Sequence, residues 1–313
     1  EATLLRITTY DAYQDVIFNL QQRLQGLKNS QEQLTTGKRV AKPSDDPVAA
    51  ARAERALAAM TRADAHQRAL EAARTATQLT ESALGDATGL LQQARETIMA
   101  AGNPTYTDGE RRMLVQSLVG LRQQLLSVAN RGDGAGNYLF GGQGTAAPPF
   151  VDTGAGVVAY QGSAGDTLVA SNESLSTSLD GRQTWLQAPT DVPGATLSVF
   201  EVLDTVIGQL SAGGVTDAQV AAAVKTGIGD LDTFSNHLLS VRARTGEALN
   251  RMDQVELRIA DGKLAAQNER SSAEDLDMVQ AISEFQNRQT GYDAALKAYS
   301  LVQRMSLFNY ISG

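Results

Sequence analysis

Apolar residues recur every three or four positions near both ends of the chain. This spacing is typical of helices that pair as coiled coils. The first stripe comprises Tyr10, Tyr13, Ile17, Leu20, Leu24, Leu27 and Leu34, with one polar member, Gln31. The second stripe comprises Met278, Ile282, Phe285, Tyr292, Leu296 and Tyr299, with one polar member, Gln289. We predict that the two stripes pair with each other.

The long segment between the stripes predicts how they pair. If this segment is a body that the chain leaves and re-enters at one place, the two helices run antiparallel. Leu34 then lies near Met278, and Tyr10 lies near Val302. The alternative is that each stripe packs separately against a globular core, as amphipathic helices commonly do.

The central segment predicts further long helices over residues 47–101, 109–130, 199–210 and 218–272. Gly37 and Pro43 make residues 35–46 a linker. Asp46 then caps a helix that has Pro47 at its first position, where the missing N–H is harmless. Asp108 is the predicted cap of the second helix, and the last of these helices begins after Thr216 or Asp217.

The composition changes between residues 138 and 192, where short β-prone runs alternate with glycine, proline, serine and aspartate. These runs are 138–140, 157–160, 167–169 and 184–186. Asp180-Gly181 is the best candidate for a hairpin turn. Phe140 and Trp185 are interpreted as the core of this small β domain rather than as exposed recognition residues.

The predicted fold is therefore mainly α with a small β-rich insert: a long antiparallel helical bundle capped by a small β domain. Residues 1–46 and 270–313 are the paired terminal helices together with the 35–46 linker. Residues 47–140 and 190–269 form the helical bundle. Residues 141–189 form the β-rich domain.

Composition disfavours several classes of partner. The formal net charge of −8 argues against nucleic acid, whose binding depends on clustered lysine and arginine. No stretch of 18 apolar residues is present to span a membrane. Cysteine is absent, which excludes disulfides and thiolate metal sites. Residues 1–13 contain no recognisable cleavable secretion signal.

No combination of residues indicates catalysis, a cofactor or a metal. His66 and His237 stand alone on predicted helices, without a second ligand at metal-binding spacing. The glycines at 142 and 144 are followed by prolines where a dinucleotide-binding loop requires a helix. The sequence around Gly162 lacks the spacing of a nucleophile elbow. We therefore expect that the protein is not an enzyme.

The linker and five other segments resemble the flagellin superfamily. Residues 34–50, LTTGKRVAKPSDDPVAA, are similar to its signature loop, in the KPSDDP form of the hook-filament junction members rather than the NSAKDDA form of most flagellins. The other segments are RITT at 6–9, GNYLFGG at 136–142, RARTGEALN at 242–250, EDLDM at 274–278 and SLFNYI at 306–311. Residues 1–5 precede the first motif without an initiating methionine.

The resemblance implies a structural adaptor that joins the flagellar hook-associated ring to the flagellin filament and assembles through its N- and C-terminal helices. The domains of this family are called D0, D1 and D2. The terminal pair corresponds to D0, which forms an inner tube, the helical bundle to D1 and the β insert to D2. The implied partners are flagellin, the ring of hook-associated protein 1, further copies of the chain and a flagellar export chaperone. The implied location is the extracellular bacterial flagellum, reached by the flagellar type III route without a cleaved signal peptide.

The resemblance also implies contact residues. The two apolar stripes become the self-assembly interface. The linker charges Lys38, Arg39, Asp45 and Asp46 become a contact between subunits, with a helix cap in a solvated loop as the alternative. Arg95 and Glu96 correspond to an axial packing surface, with an ordinary exposed charge pair as the alternative.

Two other functions are compatible with this architecture. One is a flagellin filament subunit, against which the KPSDDP linker and the YLFGG sequence argue. The other is a hydrolase domain on a helical stalk, against which the lack of a catalytic constellation argues.

Overall fold

The computed structural model describes residues 2–144, 147–154, 157–165, 167–169 and 175–311, with side chains over 14–144, 147–154, 157–165 and 178–301. The chain divides into two compact units. Unit 1 comprises residues 1–63 and 261–313, and unit 2 comprises residues 64–260.

Six α-helices make up most of the described residues. They are α1 (Ala2–Thr36), α2 (Pro47–Ala101), α3 (Asp108–Ala129), α4 (Val199–Ser211), α5 (Asp217–Glu274) and α6 (Met278–Ile311). The predicted mainly helical fold with a small β part is confirmed, and the predicted bounds of α2 match those observed.

Side chains at the helix starts explain where three of these helices begin. Asp46 accepts a hydrogen bond from the Ala49 amide at 3.0 Å, which confirms it as the cap of α2. The predicted cap of α3 is wrong by one residue. Thr107, in extended conformation, is the N-cap and forms a reciprocal capping box with Glu110, whereas Asp108 is already helical. Thr216 caps α5, since its hydroxyl accepts from the Gln219 amide at 3.3 Å.

The described β structure consists of three short antiparallel hairpins. β1 (Phe150–Asp152) pairs with β2 (Val158–Tyr160), β3 (Thr167–Val169) with β4 (Leu175–Ser178), and β5 (Ala188–Pro189) with β6 (Thr196–Leu197). The registers place Val151 opposite Ala159 and Ala188 opposite Leu197. Each hairpin is too short to be stable alone. The first and third hairpins are stabilised by burying Phe150 and Ala188 in the core that they share with the helices.

Two predicted β runs and the predicted hairpin turn are wrong. Residues 138–140 form only isolated bridges, and residues 182–186 form a π-helical turn. Asp180 starts this turn, because its carboxylate accepts from the Arg182 amide at 2.9 Å. A Cβ on Gly181 would lie 2.3 Å from the Phe140 carbonyl oxygen. The glycine therefore permits close packing and does not turn a hairpin.

Phe140 and Trp185 are fully buried in unit 2, as predicted for core residues. Their rings meet edge to face with centroids 5.2 Å apart. Trp185 also packs against Phe200 of α4 and Phe234 of α5, with centroids 6.4 and 6.5 Å away. The β-rich segment therefore shares one core with the helices and does not enclose a core of its own.

A nearly buried arginine connects three elements of unit 2. Arg122 of α3 lies 2.5 Å from the carboxylate of Asp152 in β1 and 2.5 Å from that of Asp204 in α4. Burial opposes the charge of Arg122, but the hydrogen bonds that its guanidinium donates to Asp204 and Asp152 outweigh this effect and raise the pKa of the guanidinium. The ion triad fixes the first β-hairpin to the helices.

Candidate assembly surfaces

α1 and α6 of unit 1 pack against each other in antiparallel orientation, as predicted. The Leu276 amide donates to the Gly37 carbonyl at 3.0 Å at one end of the pair. Further along, the Arg288 guanidinium donates to the Gly26 carbonyl at 3.0 Å. The residue numbers of the two helices therefore run in opposite directions. The expected proximity of Tyr10 to Val302 lies outside the described side chains.

The pairing of α1 and α6 covers the apolar stripes only in part. The half-buried members are Ile17, Leu20, Leu27, Leu34, Phe285, Tyr292 and Tyr299. Leu24, Ile282 and Leu296 remain 36%, 45% and 40% exposed. The side chains of Tyr10 and Tyr13 lie outside those described. Because apolar surface remains uncovered, these residues suit an interface with further chains, and that role stays a prediction.

Two arginines cross between the paired helices. A Cβ on Gly291 of α6 would lie 3.1 Å from the Arg23 guanidinium of α1, and one on Gly26 of α1 would lie 3.3 Å from the Arg288 guanidinium of α6. Each arginine therefore rests on a glycine of the other helix. The apolar stripes do not predict this arrangement. The signal for it in the sequence is glycine in a helix interior, which costs stability and often marks close packing.

The linker folds back onto the junction of α5 and α6. Lys38 lies 2.8 Å from the Glu274 carboxylate, and this ion pair lowers the pKa of Glu274. The Arg39 guanidinium donates to the Ala273 carbonyl at 2.9 Å and lies 3.2 Å from Asp46. Both cations therefore have partners inside the chain.

The two linker carboxylates also have partners inside the chain. Asp45 accepts from the Ala41 and Lys42 amides at 3.1 and 2.8 Å and so closes a local turn. Hydrogen bonding to the Ala49 amide, together with Arg39, lowers the pKa of Asp46. These contacts fit a capped loop, and additional contacts with neighbouring subunits stay a prediction.

Arg95 makes an interhelical ion pair within unit 2. Its Nε lies 2.8 Å from the Asp232 carboxylate of α5, and its neighbour Glu96 accepts from the side-chain amide of Gln92 at 3.0 Å. Arg95 and Glu96 therefore each interact with another residue. A further axial contact by these two residues stays a prediction.

In the described part of the chain, the side chains that could bind a metal or act in catalysis do not lie together at one site. No three His, Cys, Asp or Glu side chains among the described residues are placed to hold a metal ion. His237 Nε2 lies 3.0 Å from the Gln183 carbonyl oxygen, and burial lowers the pKa of this histidine. Within the described range, no helix is long and apolar enough to cross a membrane.

A cavity of about 190 Å³ in unit 2 lies between α2, α5 and the segment 178–184. Its walls include the threonine hydroxyls of Thr77, Thr80 and Thr245, each of which donates to a carbonyl one turn earlier in its own helix. Among the described residues, no histidine or carboxylate side chain forms a hydrogen bond with these hydroxyls that could activate them as nucleophiles.

The N-terminal part of the chain matches a protein-family model. Residues 7–145 match the bacterial flagellin N-terminal helical region. This range includes α2, α3 and the linker.

Two curated relatives match nearly the whole chain. Flagellar hook-associated protein 3 of Escherichia coli (strain K12) is 34% identical over 310 residues, covering 92% of this chain and 96% of its own length. Flagellar hook-associated protein 3 of Salmonella typhimurium (strain LT2) is 32% identical over 325 residues, covering 97% and 99%.

Solved structures show the same fold. FlgL from Xanthomonas campestris matches with a TM-score of 0.59 at 20% identity, covering 70% of this chain and 99% of its own. The flagellar junction protein FlgL from Legionella pneumophila matches with a TM-score of 0.59 at 17% identity, covering 72% and 100%.

Proposed function

The chain belongs to the flagellar hook-associated protein 3 family, and from this premise we propose that it is a structural adaptor joining the flagellar hook-associated ring to the flagellin filament. The observation that carries the proposal is the similarity to relatives of this name over nearly the full length of both chains. A shared fragment would support only a shared domain.

The described contacts support assembly through the terminal helices. α1 and α6 pair within one chain, yet Leu24, Ile282 and Leu296 stay substantially exposed. Apolar side chains that one chain leaves uncovered gain burial when further chains pack beside them. We infer that the terminal pair, with linker 35–46, associates with the terminal pairs of further copies, and that residues 47–140 with 190–269 form a second domain whose core the β-rich residues 141–189 share.

The partners inferred for this adaptor are hook-associated protein 1 on one side and flagellin on the other, with further copies of the chain in its own ring. A flagellar export chaperone and the flagellar type III route would deliver it to the extracellular flagellum. The adaptor role is mechanical, and we propose no catalytic, cofactor or metal role for any residue.

Deletion of the gene in its native host tests the proposal. The expected result is intact hooks without filaments, with unattached flagellin in the medium. Expression of the wild-type gene in trans should restore attached filaments. If deletion instead removes flagellin itself while the hook-proximal rings stay capped, the chain is a filament subunit and the adaptor proposal fails.

A further inference from the structure

Arg23 and Arg288 face one groove of the α1–α6 pair. The groove has a volume of about 330 Å³, and its lining residues are Asn19, Gln22, Arg23, Gly26 and Arg288. Gly26 and Gly291 let the two guanidinium groups lie close to the opposite helices. The pairing of the helices therefore brings together two cations that are far apart in the sequence.

Acidic groups of the same chain balance these cations poorly. Among the described side chains, Arg288 has one acidic neighbour, Glu284 of its own helix, at 4.0 Å. Arg23 makes no hydrogen bond or ion pair with the described residues. Two like charges facing one groove repel each other, and an oxygen anion between them removes the repulsion. The planar N–H groups of guanidinium match the two oxygens of a carboxylate.

The same helices carry two exposed carboxylates with no described partner, those of Asp15 and Asp293. The other described acids of the pair have partners, since Glu32 lies 3.0 Å from Lys42, and Glu284 accepts from the side-chain amide of Gln280 at 3.0 Å. The pair thus presents both a cationic groove and unpaired acids. A surface with both features is complementary to a second copy of itself in a head-to-tail contact.

Helix geometry explains why Asp293 does not fill the groove of its own chain. Asp293 is two residues beyond Gly291, the residue on which Arg23 rests. Residues two apart on a helix do not face each other, being separated by about 200°. Asp293 is therefore directed away from Arg23, and it is exposed. Asp15 is eight residues from Arg23, a distance of about 12 Å along the helix.

We propose that the groove between Arg23 and Arg288 binds a carboxylate side chain of a second copy of this chain, with Asp293 as the ligand that the helix geometry favours. The proposal rests on the proposed function, because it names the charge contact through which the terminal pairs associate. It adds a specific polar contact to the partly covered apolar stripes.

Charge reversal in the deletion strain tests this contact. Arg23→Glu should reduce the fraction of hooks that carry filaments about tenfold or more, because juxtaposed like charges are strongly unfavourable at an interface. Lys28→Glu is the matched control, since it makes the same change at an exposed position of α1 outside the groove, and it should attach filaments as the wild type does. Both variants should reach the medium in wild-type amounts and show wild-type circular dichroism.

Second-site reversal identifies the ligand. Combining Arg23→Glu with Asp293→Arg should restore filament attachment to at least about half of the wild-type fraction. The alternative pair, Arg23→Glu with Asp15→Arg, tests the other unpaired acid, and rescue by either supports the carboxylate contact while showing its source. Lack of rescue by both overturns it, as does normal attachment by Arg23→Glu alone.

Cross-linking gives a second readout, because the natural chain contains no cysteine. Two differently tagged chains, one with Arg23→Cys and one with Asp293→Cys, should be joined in isolated flagella by a short bis-maleimide cross-linker, because an arginine–carboxylate pair holds its Cα atoms too far apart for a direct disulfide. A chain pair with Lys28→Cys in place of Arg23→Cys should not. Absence of the cross-linked product together with absence of rescue excludes the contact. If the wild-type gene itself fails to restore filaments, the proposed function fails, and this result is independent of all the variants.

Discussion

The ammonium group of Lys38 lies 2.8 Å from the carboxylate of Glu274, so the linker that follows α1 is held against the last residue of α5. The Arg39 amide donates to the Glu274 carbonyl at 2.7 Å, and the Leu276 amide donates to the Gly37 carbonyl at 3.0 Å. The two chain segments that lead into the terminal helices are therefore joined at one point. This junction holds one end of the α1–α6 pair together, and the packing along the helices sets the rest of their register.

Replacing Glu274 should weaken this junction in a pH-dependent way. The Lys38 hydrogen bond, aided by Arg270 and opposed by burial, lowers the pKa of Glu274. A carboxyl whose pKa is lower in the folded state contributes stability above its unfolded pKa of about 4.3, and loses it as pH falls through the folded pKa. Glu274→Gln should therefore cost about 1 kcal/mol at pH 7 and much less at pH about 3.

Urea unfolding followed by circular dichroism at both pH values measures this difference. Glu54→Gln, at an exposed position of α2 without a described partner, is the control and should match the wild type. A destabilisation by Glu274→Gln that is equal at both pH values would show that the charge of Glu274 contributes nothing.

Removing the charge of Arg122 should destabilise unit 2 strongly. Its side chain is 9% exposed and is the cation between Asp152 and Asp204. Arg122→Met leaves two carboxylates close together without their cation, which should cost about 3 kcal/mol. The thermal midpoint measures the effect, with Arg112→Met on the exposed face of α3 as the matched control. Adding Asp152→Asn and Asp204→Asn should recover part of the loss, and no recovery would contradict the electrostatic explanation.

Local signals made the helices predictable. Asp46 with Pro47, and Gly102 after α2, mark a start and a stop within a few residues. The cap of α3 was misplaced because Thr107 and Asp108 are both good caps, and the choice depends on the Glu110 side chain returning to Thr107. Such signals locate a helix boundary more reliably than they identify which residue is the cap.

Contacts between distant residues were not predictable from the sequence. The turn containing Trp185 is fixed by packing against Phe200 and Phe234, which are remote in sequence. A β-prone composition could not reveal this. The stripes predicted that α1 and α6 pair, but the register that sets Arg23 on Gly291 depends on how the whole interface packs.

His237 should make unit 2 less stable in mild acid. Burial lowers the pKa of His237 below its usual value, and the hydrogen bond with the Gln183 carbonyl offsets this only in part. The unfolded chain therefore binds the proton first as pH falls below about 6.5, and stability decreases from there toward the folded pKa. His237→Gln should flatten this dependence. Urea midpoints at pH about 7.5 and 5.5 measure it, and an unchanged slope in the variant would refute the assignment.

Two glycines of α5 should respond oppositely to alanine. A Cβ on Gly227 would lie 2.4 Å from a methyl group of Val206, which is 2% exposed in α4, whereas one on Gly229 meets nothing within 4 Å. Gly227→Ala should destabilise by about 1–3 kcal/mol through overpacking. Gly229→Ala should stabilise by up to about 1 kcal/mol, because alanine has the better helix propensity.

Thermal unfolding of the two single variants separates these effects, since both make the same chemical change in the same helix. Val206→Ala provides the space that Gly227→Ala lacks, so the double variant should be less destabilised than the sum of its two single changes. A strictly additive loss would show that the two side chains do not meet. Shifts of the same sign for Gly227→Ala and Gly229→Ala would show that helix propensity, rather than the contact between α4 and α5, governs stability at both positions.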